Sequence, residues 1–346
     1  MQKRFLGASG LEVSVLAFGA MNFGKGSWPG VGGTMLDDAR AQVDRCLDAG
    51  VTLFDTADIY SAGESEEILG QALGARRKDV VVATKAFGTM GRGAMDRGLS
   101  RRHLIEACEA SLRRLGTDWI DLYQVHAWDG RVPVEETLRA LDDLVRAGKV
   151  RYLGCSNHAA WQLIKALAAS DRLGLARYVG QQVQYSLIVR DIEHELIPAA
   201  LDQGVGTLVW SPLAQGYLTG KYAADPAAQG RLSKSGNLAG TDSARARATV
   251  DALLAFAKAR GDASPGQLAI AWLLRRPSVA SILLGARSMA QLDDNLAAAA
   301  IRLSDEEMAT LDEVSAPPVP YPLSHQRRSS PDRNPPLPVA IAYDPG

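Results

Sequence analysis

Strand-like and helix-like patterns alternate along almost all of this 346-residue chain. Short apolar runs rich in β-branched residues are each followed by a segment with apolar residues at helical spacing, and glycines mark many boundaries. The pattern predicts strands at residues 15–18, 51–55, 80–85, 120–126, 150–155, 178–184, 205–210 and 279–284, and helices at 37–49, 65–73, 101–115, 134–147, 159–169, 192–202, 245–260, 265–275 and 289–299. Eight strand-then-helix units are therefore expected.

Strands joined by helical crossovers run parallel, and eight of them can close into a barrel that has no sheet edge. The predicted fold class is therefore α/β, a (β/α)8 TIM barrel. An open doubly wound sheet is the alternative fold. It predicts a G-x-G-x-x-G turn after the first strand, and no such turn follows residues 15–18.

Three segments lie outside the eight units. Residues 3–11 are expected to form an N-terminal hairpin that plugs the barrel floor, and residues 24–33 (GKGSWPGVGG) form a Gly-rich loop after the first strand. Residues 317–346 are rich in proline and are expected to extend over the surface or to fold over the barrel mouth. The expected domains are a barrel at 1–316 and a C-terminal extension at 317–346.

Composition excludes several classes of protein. Lys and Arg total 38 against 39 for Asp and Glu, a net charge of −1, whereas nucleic-acid binding requires a basic surplus. Cys46, Cys108 and Cys155 are too few and too widely spaced for a disulfide framework or a CxxC metal site. With no long apolar segment for a signal peptide or membrane helix, we expect a soluble cytoplasmic protein without a metal.

Charged residues follow three consecutive predicted strands. Asp55, Lys85 and His126 end the second, third and fourth strands, and Tyr60 lies five positions beyond Asp55. Each residue alone is more often structural than catalytic. Chemistry in a βα barrel is located at the carboxyl ends of the strands, however, so these residues are expected to converge on one mouth.

This set of side chains suits delivery of a proton to an oxygen that gains negative charge. A phenol has a pKa of about 10, and a neighbouring ammonium lowers it by favouring the phenolate. Asp55 would hold the Lys85 ammonium in place, and His126 could bond a carbonyl oxygen or relay a proton. The sequence has no Ser or Cys nucleophile elbow and no HExxH motif, and these strand ends carry no second carboxylate. A diffusible hydride donor would complete the chemistry.

The motifs at these strand ends resemble those of the aldo-keto reductases, including the bacterial and potassium-channel β-subunit-like branches. They occur in family order over nearly the whole chain: FDTADIY (54–60), GESEEILGQAL (63–73), VVVATK (80–85), RGLSRRHL (97–104), SLRRLGTDWIDLYQVHAWD (111–129), VRYLGCSN (150–157), QQVQYSL (181–187), WSPLAQGYLTGK (210–221) and GARSMAQLDDN (285–295). A match at every strand end is far more specific than a match of one motif.

The resemblance implies an NADP(H)-dependent oxidoreductase that reduces an aldehyde or ketone to an alcohol. Asp55, Tyr60, Lys85 and His126 would be the catalytic tetrad, with Tyr60 as the proton donor. Positions that match cofactor contacts of the family are Gly19, Met21, Asp55, Ser156, Asn157, Gln182, Trp210, Ser211, Leu213, Gly216, Leu218, Lys221, Gly285, Arg287, Gln291 and Asn295. Among these, Trp210 would stack on the nicotinamide, and Arg287 would favour NADP(H) by binding the 2′-phosphate.

Other implications concern the substrate and the partners. Trp28, Trp128 and Tyr321 are candidates for the substrate pocket, each equally consistent with surface packing. Cys155 precedes Ser156 and would lie near the nicotinamide. Partners are expected to be a small carbonyl substrate, with no nucleic acid and no membrane, and the chain to be a monomer or a homo-oligomer. The alternative function is a nucleotide-sensing accessory subunit resembling channel β-subunits, with little turnover.

Overall fold

Eight parallel strands form a closed barrel, in agreement with the predicted (β/α)8 fold. A computed structural model describes residues 1–26, 28–29, 31–225, 228, 230–237, 240–241, 243–330 and 332–333. The barrel strands are β3 (Leu16–Gly19), β4 (Leu53–Asp55), β5 (Val81–Ala86), β6 (Ile120–Val125), β7 (Val150–Ser156), β8 (Tyr178–Gln184), β9 (Gly206–Trp210) and β10 (Val279–Leu284). β10 pairs with β3 and closes the ring.

Helices surround the barrel and follow the strands. They are α1 (Leu36–Asp48), α2 (Glu64–Leu73), α3 (Arg101–Leu115), α4 (Val134–Arg146), α5 (Ala160–Leu173), α6 (Leu196–Asp202), α7 (Lys221–Ala224), α8 (Arg231–Ser235), α9 (Ala244–Arg260), α10 (Pro265–Leu274), α11 (Met289–Ala297), α12 (Asp305–Ser315) and α13 (Leu323–Ser329). Local signals fix several ends: the Ser100 hydroxyl accepts from the His103 amide at the start of α3, and Gly116 ends that helix in the left-handed conformation.

The predicted N-terminal hairpin exists and is slightly longer than expected. β1 (Lys3–Phe5) pairs with β2 (Glu12–Ser14) in antiparallel register. Leu6, in the turn, is fully buried at the barrel floor. Gly7 makes this approach feasible, because a Cβ there would lie 2.3 Å from the Gly204 oxygen and its φ is +61°. The hairpin therefore closes the end of the barrel opposite the strand carboxyl ends.

Two apolar layers result from strand alternation. Inward positions such as Ala83, Leu122 and Leu208 pack with Leu6 in the lower barrel. Outward positions such as Val82 and Tyr123 pack against the helices. The inner layer stops below Lys85 and Gln124, two positions further along β5 and β6, so the upper interior is polar.

The C-terminal third departs from the predicted pattern. α12 was not predicted, although Ser304 and Glu307 form a capping box at its start. Arg190 is buried and donates to the Asp312 carbonyl at 3.0 Å and the Ser315 hydroxyl at 2.6 Å, which ties α12 to the barrel. In the extension predicted at 317–346, α13 is helical, and residues 331 and 334–346 lie outside the described residues.

Candidate active site

The four residues predicted at the barrel mouth do lie together. Lys85 is the penultimate residue of β5. Its Nζ donates to Asp55 Oδ1 at 2.5 Å and to the Thr56 carbonyl at 2.8 Å. The same Nζ is 3.5 Å from the Tyr60 hydroxyl. The Tyr60 and His126 rings meet edge to face with centroids 5.8 Å apart. An ammonium, a phenol and an imidazole are thus adjacent at one end of the barrel.

Lys85 is fully buried, yet it retains its proton. Burial alone would lower the pKa of this amine, but the Asp55 carboxylate and the Tyr60 phenol offset it, so the pKa lies above its usual value. The ion pair therefore keeps a positive charge beside the Tyr60 hydroxyl. That charge favours release of the phenolic proton to an acceptor.

Two side-chain amides complete the environment of Asp55. Gln182 Nε2 donates to Asp55 Oδ2 at 2.8 Å, and Gln124 Nε2 donates to the same oxygen at 3.2 Å. Gln182 was predicted as a site residue and Gln124 was not. The signal for Gln124 was its polar side chain within the buried run of β6, since a buried amide needs a partner. Both amides fix the orientation of the carboxylate that holds Lys85.

His126 is neutral in this environment. Burial, and then the nearby Lys85 charge, lower the pKa of its imidazole to about 3. The ring therefore carries no charge near neutral pH and suits hydrogen bonding to a carbonyl oxygen. A role as a cationic proton carrier is disfavoured, because protonation would place a second positive charge against Lys85.

A cavity of about 720 Å³ opens above this cluster. Its size suits a small-molecule or cofactor site. Predicted site residues that line it are Gly19, Met21, Trp28, Asp55, Tyr60, His126, Ser156, Asn157, Gln182, Trp210, Ser211 and Gly285. Residues that line it without having been predicted include Asn22, Pro29, Val31, Ile59, Phe87, Gln215 and Lys234. Most of the second group lie in loops, where neither spacing nor motif indicated their direction.

One wall of the cavity is a hydrogen-bonded set of side chains from the end of β7, the residue that follows it and the end of β9. Asn157 Nδ2 donates to the His126 carbonyl and to Ser156 Oγ, both at 3.0 Å. Trp210 Nε1 donates to Asn157 Oδ1 at 3.2 Å, which fixes the indole orientation. Asn157 has a φ of +55°, a conformation that Asn tolerates better than most residues. The wall therefore presents one aromatic ring and several polar groups to the cavity that Tyr60 also lines.

Other residues predicted to contact a cofactor lie beyond the cavity lining. Leu213, Gly216 and Leu218 belong to the turn after β9, and Leu218 is fully buried. Lys221 lies close to this turn, since its Nζ would be 3.5 Å from a Cβ on Gly216. After β10, the Arg287 amide donates to Gln291 Oε1 at 3.0 Å, and Asn295 Nδ2 lies 3.5 Å from the Gly285 carbonyl. Two loops therefore continue from the cavity rim.

Three predictions about nearby residues need correction. Trp128 packs edge-on against His158 and Trp161 and does not line the cavity. Tyr321 is 82% exposed and does not line it either. Cys155 points outward into the layer between strands and helices, since its neighbour Ser156 points inward, so it does not lie beside the cavity. Only Trp28 of the three proposed pocket aromatics contributes to the lining.

The cysteines otherwise behave as small core residues. All three are buried and unpaired. Burial raises the pKa of the Cys46 and Cys108 thiols to about 12. Within the described ranges, no group of three or more His, Cys, Asp or Glu is placed to hold a metal ion. Among the helices described, none has the length and apolarity needed to cross a membrane.

The residues present fit a nicotinamide dinucleotide. Trp210 offers a flat ring in the cavity that Tyr60 also lines, and the polar side chains of Ser156, Asn157 and Gln182 line the same cavity. Gly285 borders open space, since the nearest neighbour of a Cβ there would be Asn22 Nδ2 at 4.0 Å. The nine-residue α11 begins just beyond, capped by Ser288, and its amino end favours an anion.

Comparisons with known proteins agree with this geometry. The family model described as "Aldo/keto reductase family" matches residues 15–316. A "Probable voltage-gated potassium channel subunit beta" of Arabidopsis thaliana is 38% identical over 312 residues, covering 86% of this chain and 91% of the relative. The "Uncharacterized oxidoreductase YrpG" of Bacillus subtilis is 38% identical, covering 91% and 96%. The "Versiconal hemiacetal acetate reductase" of Aspergillus parasiticus is 34% identical, covering 93% and 99%.

Proposed function

This chain belongs to the aldo/keto reductase family, and from that premise we propose that it is an NADP(H)-dependent oxidoreductase that reduces an aldehyde or ketone to an alcohol. The observation that carries the proposal is the contact of the Lys85 ammonium with both Asp55, at 2.5 Å, and the Tyr60 hydroxyl, at 3.5 Å. The phenol beside this buried, charged amine lines the cavity. It suits proton donation to a substrate oxygen.

In this proposal, each residue has one task. Tyr60 donates its proton to the carbonyl oxygen of the substrate, and Lys85 stabilises the resulting phenolate. Asp55 keeps Lys85 charged and in place. Neutral His126 donates a hydrogen bond that orients the carbonyl oxygen. In the reverse direction, the Tyr60 phenolate accepts a proton from the alcohol.

The cofactor would lie along the wall from β7 to β10. Ser156, Asn157 and Gln182 would bond its carboxamide, Trp210 would stack on its ring, and Gly19 and Met21 would lie at the same end. When bound, the cofactor supplies the hydride that adds to the carbonyl carbon. Contacts further along would come from Ser211, Leu213, Gly216, Leu218, Lys221, Gly285, Gln291 and Asn295, and Arg287 would bind the 2′-phosphate of NADPH in preference to NADH.

Location and organisation belong to the same proposal. The three unpaired cysteines support a reducing compartment such as the cytoplasm. We propose a barrel unit at 1–316 and a separate extension at 317–346. The substrate would be a small carbonyl compound.

A nucleotide-sensing accessory subunit is the second candidate. The Arabidopsis thaliana relative named as a probable voltage-gated potassium channel subunit beta favours it. The two functions differ in turnover. A reductase consumes many equivalents of NADPH per chain when a good carbonyl substrate is present, whereas a sensor binds NADPH and consumes about one equivalent or less.

The test is a turnover assay with a panel of aldehydes, quinones and keto-sugars. We expect sustained loss of NADPH absorbance with at least one compound. NADPH binding without sustained turnover on the whole panel would favour the sensor. No change in protein fluorescence on addition of NADPH would refute the cofactor assignment.

A further inference from the structure

Backbone hydrogen bonds hold the base of the Gly-rich loop after β3. The Gly24 amide donates to the Thr34 carbonyl at 2.9 Å, and the Gly33 amide donates back to the Gly24 carbonyl at 2.7 Å. Further out, Gly26 and Gly32 touch, since a Cβ on Gly32 would lie 2.4 Å from Gly26 Cα. Their φ values are +87° and +86°, a conformation that residues other than glycine rarely adopt. The glycines therefore set a definite shape.

This loop carries an apolar wall of the cavity. Trp28, Pro29 and Val31 line the cavity from the loop, and Ile59 and Phe87 line it from the loops after β4 and β5. Trp28 is 43% exposed although its ring is large and apolar. An exposed tryptophan at a cavity rim is available to contact a ligand, and aromatic side chains contribute large contact areas.

Two side chains from the segment directly after Tyr60 hold the loop. Ser61 Oγ donates to the Phe23 carbonyl at 2.8 Å and accepts from the Gly26 amide at 3.0 Å. Glu64 Oε2 accepts from the Lys25 amide at 2.8 Å. Gly24 makes the close approach feasible, because a Cβ there would lie 2.7 Å from Glu64 Oε2. Both anchors therefore bond the loop backbone itself.

The anchoring segment is also under backbone strain. Ser61 has a φ of +51° and Ala62 a φ of +55°, immediately after Tyr60. Such conformations persist where the surroundings impose them, and they concentrate at functional sites. Here, the hydrogen bonds of the Ser61 hydroxyl to the loop backbone are contacts that hold this conformation. The turn that carries Tyr60 and the loop that carries Trp28 are thus joined.

We propose that the described residues of the loop at 22–34 (22–26, 28–29 and 31–34) form a preformed wall that selects carbonyl substrates with a flat apolar body, and that Ser61 and Glu64 are the positioning residues that hold it. The reacting carbonyl would lie at Tyr60 and His126, so this inference rests on the proposed function. A naphthyl-sized group would contact Trp28, Pro29 and Val31, whereas a short aliphatic chain would not reach them.

The test compares naphthaldehyde with propanal as substrates, and measures the dissociation constant of unreactive naphthamide by calorimetry. Ser61→Ala, Glu64→Ala and Trp28→Ala are expected to raise the KM for naphthaldehyde and the Kd for naphthamide about five- to tenfold, as for loss of one buried contact. The KM for propanal and the kcat for both substrates should change little. Glu64→Gln keeps an oxygen for the Lys25 amide and should restore wild-type values.

Ala62→Gly is the matched control, because it changes the neighbouring strained residue without touching the Ser61 or Glu64 bonds. Equal effects on both aldehydes in Ser61→Ala and Glu64→Ala would overturn the inference and assign these residues a general structural role. Wild-type naphthamide affinity in Trp28→Ala would overturn it as well. Because the naphthamide measurement needs no turnover, it tests the wall even if the reductase assignment fails.

Discussion

Asp58 provides a test of how the structure treats a buried acid next to the proposed active site. The residue is 0% exposed, and among the described residues neither carboxyl oxygen has a hydrogen-bond partner of good geometry. Burial, and then repulsion by Glu66, raise the pKa of Asp58 to about 7, with partial relief from the Ile59 amide and Arg114. Arg114 instead bonds Glu66 directly, at 2.7 Å. We expect Asp58→Asn to stabilise the protein at alkaline pH.

The sign follows from the raised pKa. Between pH 3.8, the value for a free side chain, and pH 7, the folded chain binds this proton and the unfolded chain does not, so stability falls as pH rises. Each pH unit in that window costs up to about 1.4 kcal/mol, and the difference accumulated from about pH 5 to about pH 8 is about 3 kcal/mol. The variant cannot lose this stability, because the amide does not ionise.

The assay is urea unfolding of wild type and Asp58→Asn, followed by far-ultraviolet circular dichroism, at both pH values. The free energy of unfolding of the variant relative to wild type should rise by about 3 kcal/mol between them. Asp118→Asn removes an exposed carboxylate and should show almost no such rise. Parallel pH dependence of Asp58→Asn and wild type would refute the reasoning.

Three further predictions concern the proton, the cofactor and the floor. His126 should remain neutral from about pH 5 to about pH 8 because its pKa is lowered to about 3. NMR spectra of the nitrogen-labelled imidazole, assigned with the His126→Asn variant, check this. Titration of the ring near 6.5, its ordinary pKa, would contradict the prediction. Arg287→Ala should weaken NADPH binding about ten- to a hundredfold and NADH binding little, because it removes a charge-assisted contact to the 2′-phosphate. Equal losses of affinity for the two cofactors in calorimetry would refute the assignment of Arg287 to that phosphate. Gly7→Ala should lower the free energy of unfolding by about 3 kcal/mol or more, because backbone strain and a steric clash add. Gly174 has nearly the same φ but open space around it, so Gly174→Ala should cost only about 1 kcal/mol. Equal costs of the two substitutions in urea unfolding would disprove the role of close packing at the barrel floor.

The barrel was predictable because its signals are local. Apolar runs identify the strands, and residues such as Ser100 and Gly116 mark the ends of the helices between them. The polar residues that end β4 and β5 were identifiable for the same reason: burying Asp55 and Lys85 is costly unless they pair. Their convergence followed from the topology, which places all strand carboxyl ends at one mouth.

Other features depended on side-chain direction and long-range contact. The alternation of side chains along β7 could have predicted that Cys155 points outward, because its neighbour Ser156 points inward. Nothing local distinguishes Trp28, which lines the cavity, from Trp128 and Tyr321, which do not. The bonds from Ser61 and Glu64 to the loop at 22–34 join segments about 40 residues apart and leave no periodic pattern in the sequence.

The central claim is that Tyr60 donates the proton in a hydride-transfer reduction, and Tyr60→Phe tests it most directly. The substitution removes one hydroxyl and keeps the ring that packs against His126. The decisive measurement is kcat with a good carbonyl substrate at saturating NADPH, together with the NADPH dissociation constant of the same preparation. The account predicts a fall in kcat of about a hundredfold or more, as for loss of a general acid, with NADPH affinity nearly unchanged. A variant that turns over at the wild-type rate would contradict it.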